Sequence, residues 1–459
     1  MSPSRLLPAN GADGKPSEES PSRESLHVID DRTGKYYQIP IFHNAINASE
    51  FKKIRAPENE DFAADQNESG IRVFDPGFTN TAVVESKITY VDGLKGSIQY
   101  RGYDLNDVVA NNKRYMDTAY LLLWGHWPTA KEAGDFQQKL FDASHLDQAV
   151  LDAIRAFPST GSTTSMIVAG LSAVQATQMD KVPAHMAKNL YMGNPALVDE
   201  QIIRLMGVLP VVSAVAYCHH TGREFHSPRA DLTYIENFLY MTGHVQESTG
   251  LPDPRYVDYF ERLWALVADH EMTCSTAALL QTASSLPDPF SCMISAISAS
   301  YGPLHGGAIE FAYKDMAEIG GVQNCQAKID RVKSGKERLF GYGHRVYKVT
   351  DPRSEHIQQV LRELKAEIDN DPILQVAFEL NRIAQEDEYF VSRGLKPNAD
   401  LYAAFTYGAM GFPPDFILPI STISRTQGLM AHWKEAMSAR APRIWRPSQI
   451  YTGKLNQQF

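Results

Sequence analysis

From Met116 onward, apolar residues return every three or four positions almost to the end of the chain. That period admits helices and little else. Met116 to Trp124, Phe136 to Phe141, Ala149 to Phe157 and Ser165 to Met179 each carry it. It is clearest over Glu355 to Ile368, where Ile357, Val360, Leu361, Leu364 and Ile368 fall on one face. Asp199 to Tyr217 continues the pattern, and Pro210 predicts a kink or break there, because proline brings no N–H and collides with the preceding turn. Strand-like sequence is confined to the start. Residues 26–41 predict two short strands about an Asp-Arg-Thr-Gly turn, and residues 82–100 a second β stretch turning at Asp92-Gly93. The expected fold is therefore mostly α with a small N-terminal β region. At 459 residues the chain is long enough for more than one domain.

A net charge of −10 leaves no basic excess to displace counterions, which argues against nucleic acid as a partner. An anionic ligand would need a local cluster of Arg and Lys. No apolar run reaches the length expected of a membrane span, so no membrane partner is expected. Cys218, Cys274, Cys292 and Cys325 form no CxxC pair and read as reduced thiols. Residues 1–25 are rich in Pro, Ser and Glu and predict a disordered tail. They lack the apolar core of a signal peptide and are too acidic for a transit peptide, and the chain ends in no peroxisomal tripeptide. The expected compartment is the cytoplasm.

Chemistry concentrates in loops punctuated by Gly and Pro. In Tyr301-Gly302-Pro303-Leu304-His305-Gly306-Gly307, His305 precedes a predicted helix, Ala308 to Ile319, that Gly320-Gly321 stops. Near a helix N-terminus an imidazolium is disfavoured, and a neutral ring can donate to a developing oxyanion. A loop histidine that caps its turn fits the same residues. Ala268-Asp269-His270-Glu271 falls short of HExxH because Cys274 stands at the second His position, so no metal site is expected. Phe340 to Lys348 holds His344, Arg345 and Lys348, with Arg353 shortly after; its two glycines follow no strand and make no dinucleotide fingerprint. Asp400 opens another helix, as a base or as an N-cap. Arg425 and Arg446 lie near the C-terminus. Arginines grip carboxylates in bidentate fashion, histidines polarise carbonyl oxygens, and a carboxylate can remove a carbon-bound proton. Such equipment suits carbon–carbon bond formation between a dicarboxylate and an enolisable partner.

These motifs resemble the citrate synthase family over nearly the whole chain. Residues 74–93 (FDPGFTNTAVVESKITYVDG), ADHE, GPLHGG, GYGHRVYK, TDPR, PNADLY and RPSQIYTG (446–453) occur in the family's order and at similar spacing, most like the bacterial-type enzymes. The resemblance implies a two-domain helical fold, with a large domain from 26–306 plus 412–459 and a small one from 307–411. It implies that Asp400 takes the α-proton of an acyl-CoA, that His305 stabilises the enolate, and that His344 polarises the ketone of oxaloacetate. His270, Arg353 and Arg425 would hold the oxaloacetate carboxylates. Arg446 would reach the site of a neighbouring subunit, which implies a homodimer or an assembly of dimers. Arg345 and Lys348 would meet CoA phosphates, and no cofactor is implied beyond the CoA thioester substrate.

The acyl end departs from the family's pattern. Acetyl-CoA enzymes usually carry Phe four residues before the arginine matched by Arg425; Ser421 stands here. Ala277 replaces another Phe, and Leu280 an Arg. A lost buried ring leaves a cavity that neighbours can refill or a ligand can use. The expectation is an alkylcitrate-forming enzyme with an acyl donor longer than acetyl. Citrate synthase using acetyl-CoA and 2-methylcitrate synthase using propionyl-CoA are the alternatives, and a catalytically silent homologue is a third.

Overall fold

The computed structural model describes residues 24–55, 70–344, 346–368, 371–454 and 457–458. Arg345 and all but the last two residues of the expected 1–25 tail lie outside the described residues. Contacts divide the chain into two units, Met1–Glu85 with Arg446–Phe459, and Ser86–Trp445.

In the first unit, strands Ser25–Asp30 and Lys35–Phe42 pair antiparallel, with Ser25 opposite Pro40. Their connection is the predicted Asp-Arg-Thr-Gly turn. The Asp30 carboxylate accepts from the Arg32 backbone N–H at 3.1 Å and from Arg32 Nε at 2.9 Å. Ile39 and Ile54 are buried, whereas Ile29, Phe74 and Phe78 are exposed.

The second unit opens with strands Thr89–Asp92 and Ser97–Tyr100, joined by a turn that the Asp92 carboxylate closes by accepting from the N–H groups of Leu94 and Lys95. No strand precedes Thr89 in this stretch, so the β reading of 82–88 was too generous. Helices follow, and 55% of the structure is helical. Their N-termini are sequence-coded: Thr129 with Glu132, and Thr233 with Glu236, each close a capping box. Ala308–Ile319 is a helix with the predicted bounds, ended by Gly320 at φ 74°. The Glu355–Ile368 stripe is buried as expected, but it is carried by two helices, Arg353–Glu363 and Lys365–Ile368, that meet at Leu364.

Pro210 does not break its helix. Pro195–Thr221 runs unbroken through it, because the Met206 carbonyl, which proline cannot satisfy, accepts from Tyr234 Oη at 3.0 Å. This helix is also long and apolar enough to cross a membrane, contrary to the sequence expectation; 83% of that stretch is buried within the protein. It packs against the Ala130–Asp142, Thr163–Ala176 and Ile417–Met437 helices as a core element. Trp264, Trp433, Tyr115, Phe238 and Phe260 fill the same core.

Candidate active site

The turn that carries His305 links the Pro289–Ser300 and Ala308–Ile319 helices. Gly307 donates to the Ser300 carbonyl at 2.9 Å, and a Cβ on Gly307 would lie 2.8 Å from the Tyr301 oxygen, so only glycine permits so tight a return. The His305 ring reaches across to the Cys274–Ala283 helix. Its Nε2 accepts from the Ser275 N–H at 3.3 Å and lies 2.9 Å from Ser275 Oγ. His305 lies just before the Ala308–Ile319 helix as expected, and its ring meets the N-terminus of the Cys274–Ala283 helix as well. With Nε2 accepting, the ring proton resides on Nδ1. Burial, and then the Arg425 charge, push the His305 pKa down to about 4. The ring is neutral and presents a donor.

His344 is placed by two loops laced together. Gly343 donates to the Lys396 carbonyl, Asn398 donates to the Gly341 carbonyl, and Asn398 Nδ2 donates to the Gly343 carbonyl at 3.0 Å. His344 Nδ1 accepts from the N–H groups of Val346 at 3.1 Å and Tyr347 at 3.4 Å, which leaves the proton on Nε2. Burial and the Arg353 charge lower its pKa to about 4.

His270 lies 5.3 Å from His344, ring centre to ring centre, and its Nε2 lies 2.9 Å from Tyr347 Oη. Burial holds it well below the usual imidazole range, as do the Arg353 and Arg425 charges. Its segment is pinned from two sides. Tyr100 Oη donates to the carbonyls of Leu266 and Asp269, and buried His432 donates to Asp269 Oδ2 at 3.2 Å. Asp269 is held down to about 2 against its burial by His432 and Arg425. The Ile417–Met437 helix comes so close here that a Cβ on Gly428 would run into the Ala268 carbonyl and the Asp269 carboxylate. Three residues before Gly428 on that helix is Arg425.

The two arginines differ. Arg353 is buried and already paired, its Nε and Nη2 donating to Asp351 at 2.9 and 2.6 Å. Arg425 is half-buried and makes no side-chain hydrogen bond or ion pair among the described residues. Its charge nevertheless bears on His305, His270, Asp269 and Asp400, which marks it as the common neighbour of these groups. Asp400 is the first residue of the Asp400–Ala409 helix, with Ala399 at the cap position. Its carboxylate caps nothing and accepts no hydrogen bond among the described residues, so the N-cap alternative does not hold. Burial raises it to about 6, against the opposing pull of Arg353 and Arg425.

Ser421 and Ala277 are half-buried on the Ile417–Met437 and Cys274–Ala283 helices, which pack on each other. Lys348 is exposed, and its N–H donates to the Gly93 carbonyl at 2.9 Å. Arg446 is exposed and belongs to the first unit. Sequence reasoning missed Ser275, Tyr347, Asp351, Asp269 and His432. Asp351 alone had a local signal, two residues before Arg353; the others act through contacts between distant segments.

A helical chain that sets neutral, N–H-bearing histidines beside an open guanidinium and a carboxylate of raised pKa is an enzyme of acyl transfer. The chain belongs to the citrate synthase family, matching Citrate synthase, C-terminal domain, over residues 77–448. It is 63% identical over 442 residues to citrate synthase-like protein oryE of Aspergillus oryzae, covering 96% of this chain and 98% of that one. It is 37% identical over 435 residues to alkylcitrate synthase phiJ of a fungal species, covering 95% and 94%. Among solved structures, citrate synthase of Thermoplasma acidophilum in ternary complex with carboxymethyl coenzyme A and oxaloacetate superposes with a TM-score of 0.75 at 26% identity, covering 83% of this chain and 96% of that one. Glyoxysomal and peroxisomal citrate synthases are also relatives.

Proposed function

We propose that this enzyme condenses oxaloacetate with an acyl-CoA longer than acetyl-CoA and then hydrolyses the thioester, releasing an alkylcitrate and CoA. Asp400 takes the proton from the carbon beside the thioester while His305 Nδ1–H donates to the thioester oxygen. The enolate carbon attacks the oxaloacetate ketone, and His344 Nε2–H donates to the ketone oxygen as the bond forms. Arg425, His270 and the remaining Nη1 of Arg353 hold the oxaloacetate carboxylates. Arg345 and Lys348 meet the CoA phosphates, and no metal or further cofactor takes part. The observation that carries this reading is the open Arg425 guanidinium, whose charge bears on both His305 and the unbonded Asp400 carboxylate. Segment 307–411 closes as a small domain over the substrates. The enzyme is a cytoplasmic homodimer or assembly of dimers, each site completed by Arg446 of the neighbouring subunit.

The longer acyl donor rests on Ser421, one turn before Arg425, and on Ala277, two residues after the Ser275 that holds His305. Small side chains at both would give the acyl tail room at the thioester end, and the likeness to an alkylcitrate synthase supports this. Each methylene buried in that room contributes about 0.8 kcal/mol, so kcat/KM should rise several-fold per added carbon until the space is full. The test is kcat/KM for acetyl-, propionyl-, butyryl-, hexanoyl- and octanoyl-CoA on wild type and on Ser421→Phe. The variant should lose the long donors and keep or improve acetyl-CoA. A wild type that prefers acetyl-CoA, with the variant's profile unchanged, would make this an ordinary citrate synthase with a repacked site.

A further inference from the structure

Among the described residues, Tyr347 alone bonds through its side chain to one of the site's histidines and through its backbone to another. It is 3% exposed, inside the loop that follows His344. Its N–H donates to His344 Nδ1 at 3.4 Å, its ring lies 4.6 Å from the His344 ring, and its Oη lies 2.9 Å from His270 Nε2. Its ring also meets His270 edge-on at 5.6 Å. His270 Nδ1 makes no hydrogen bond among the described residues.

We infer that Tyr347 is a positioning residue of the condensation, its hydroxyl setting the tautomer of His270 so that Nδ1–H is left to donate to a carboxylate of the keto acid. A neutral imidazole has one N–H and one lone pair. A phenol that donates into Nε2 occupies the lone pair and moves the proton to Nδ1, the nitrogen with no other partner. Without the hydroxyl, the ring proton divides between the two nitrogens and the ring is freer to turn. An anion in the site then meets a donor only part of the time. His344 is held by the Tyr347 backbone and not by its hydroxyl, so loss of the hydroxyl touches His270 alone. This inference rests on the keto acid reading of the site given above.

The experiment is a double-mutant cycle read by calorimetric binding of oxaloacetate to the enzyme alone, with no acyl donor and no turnover. Tyr347→Phe keeps the ring and the backbone donor and removes only the hydroxyl. It should weaken oxaloacetate binding about five- to tenfold, the size of one net hydrogen bond. His270→Asn should weaken it as much or more. The double variant should bind as His270→Asn alone does, because Tyr347 acts through His270. In turnover, Tyr347→Phe should raise the oxaloacetate KM and leave the acyl-CoA KM unchanged. Additive losses in the double variant would mean that Tyr347 acts through general packing, and unchanged binding by Tyr347→Phe would mean that its hydroxyl does nothing; either overturns the inference. A wild type that does not bind oxaloacetate overturns the keto acid reading itself and this inference with it.

Discussion

In the proposed reaction Asp400 has the most demanding task, since there a carboxylate must remove a proton from carbon. Burial raises its pKa to about 6, where it is a stronger base than a solvated aspartate and still ionised at neutral pH. The acid limb of kcat/KM for acyl-CoA should therefore fall through about pH 6, tenfold per unit below it. His305 and His344, at about 4, stay neutral through that limb and add nothing to it. Asp400→Asn should lose turnover by about 10³-fold while oxaloacetate still binds, and near-normal kcat would remove Asp400 from the role. A carboxyl whose folded pKa is raised stabilises the fold most below its ordinary value of 3.8, and that contribution is lost as pH rises through about 6. Asp400→Asn removes the buried charge and should raise the Tm at pH 7 to 8, a gain in stability bought with activity. Arg425 is the other residue to test, because its guanidinium has no hydrogen-bond or ion-pair partner among the described residues. Arg425→Lys keeps the charge and loses the planar fork, so the oxaloacetate KM should rise more than about tenfold. An unchanged KM would place Arg425 outside the keto acid site.

Between residues and molecule stands the Ile417–Met437 helix, which carries Ser421, Arg425 and His432 on one rod. Gly428 lets that rod touch the Ala268 carbonyl and the Asp269 side chain, beside His270. Gly428→Ala should cost about 1–3 kcal/mol, seen as a lower Tm, because the atoms in its way are backbone and a buried carboxylate. It should also raise the oxaloacetate KM, since the helix must move away from His270 with Arg425 on it; a variant with wild-type Tm and KM would show that the approach is not needed. Such contacts explain what was legible. The bounds of Ala308–Ile319 were written locally, in an apolar stripe and a pair of stopping glycines, and so were the first hairpin and its turn. His305, His344 and Asp400 were singled out because Gly and Pro punctuate the sequence around them, and His270 and Arg425 because the family motifs fix their order. Pro210 misled, because the group that rescues its helix, the Tyr234 hydroxyl, lies 28 residues from the carbonyl it satisfies. The donor that fixes His305 was not legible for the same reason, since Ser275 stands 30 residues away on another helix. Asp351 makes Arg353 a paired cation, which residue type alone does not reveal.

The whole molecule raises the question of Arg446. It is exposed and sits in the unit that also exposes Phe74, Phe78, Ile450 and Tyr451. In the proposed dimer these large apolar side chains on irregular backbone would be covered by the second chain. A twofold dimer repeats every contact, so an arginine lent to a neighbour's site is lent in both directions. This can be tested with two inactive proteins. Arg446→Ala should lack the lent arginine, and Asp400→Asn lacks the base. When the two are mixed and allowed to exchange subunits at random, about half of the dimers contain one chain of each kind. If Arg446 acts across the interface, one site of each mixed dimer combines Asp400 of the first chain with Arg446 of the second and is intact, while the other site carries both lesions. Activity should then recover to about a quarter of the wild-type value at the same total protein. If Arg446 serves its own chain, every site in the mixture keeps one lesion and nothing recovers. Subunit exchange is followed separately, by native mass spectrometry of differently tagged chains. Exchange without recovered activity would assign Arg446 to its own subunit or to no site at all.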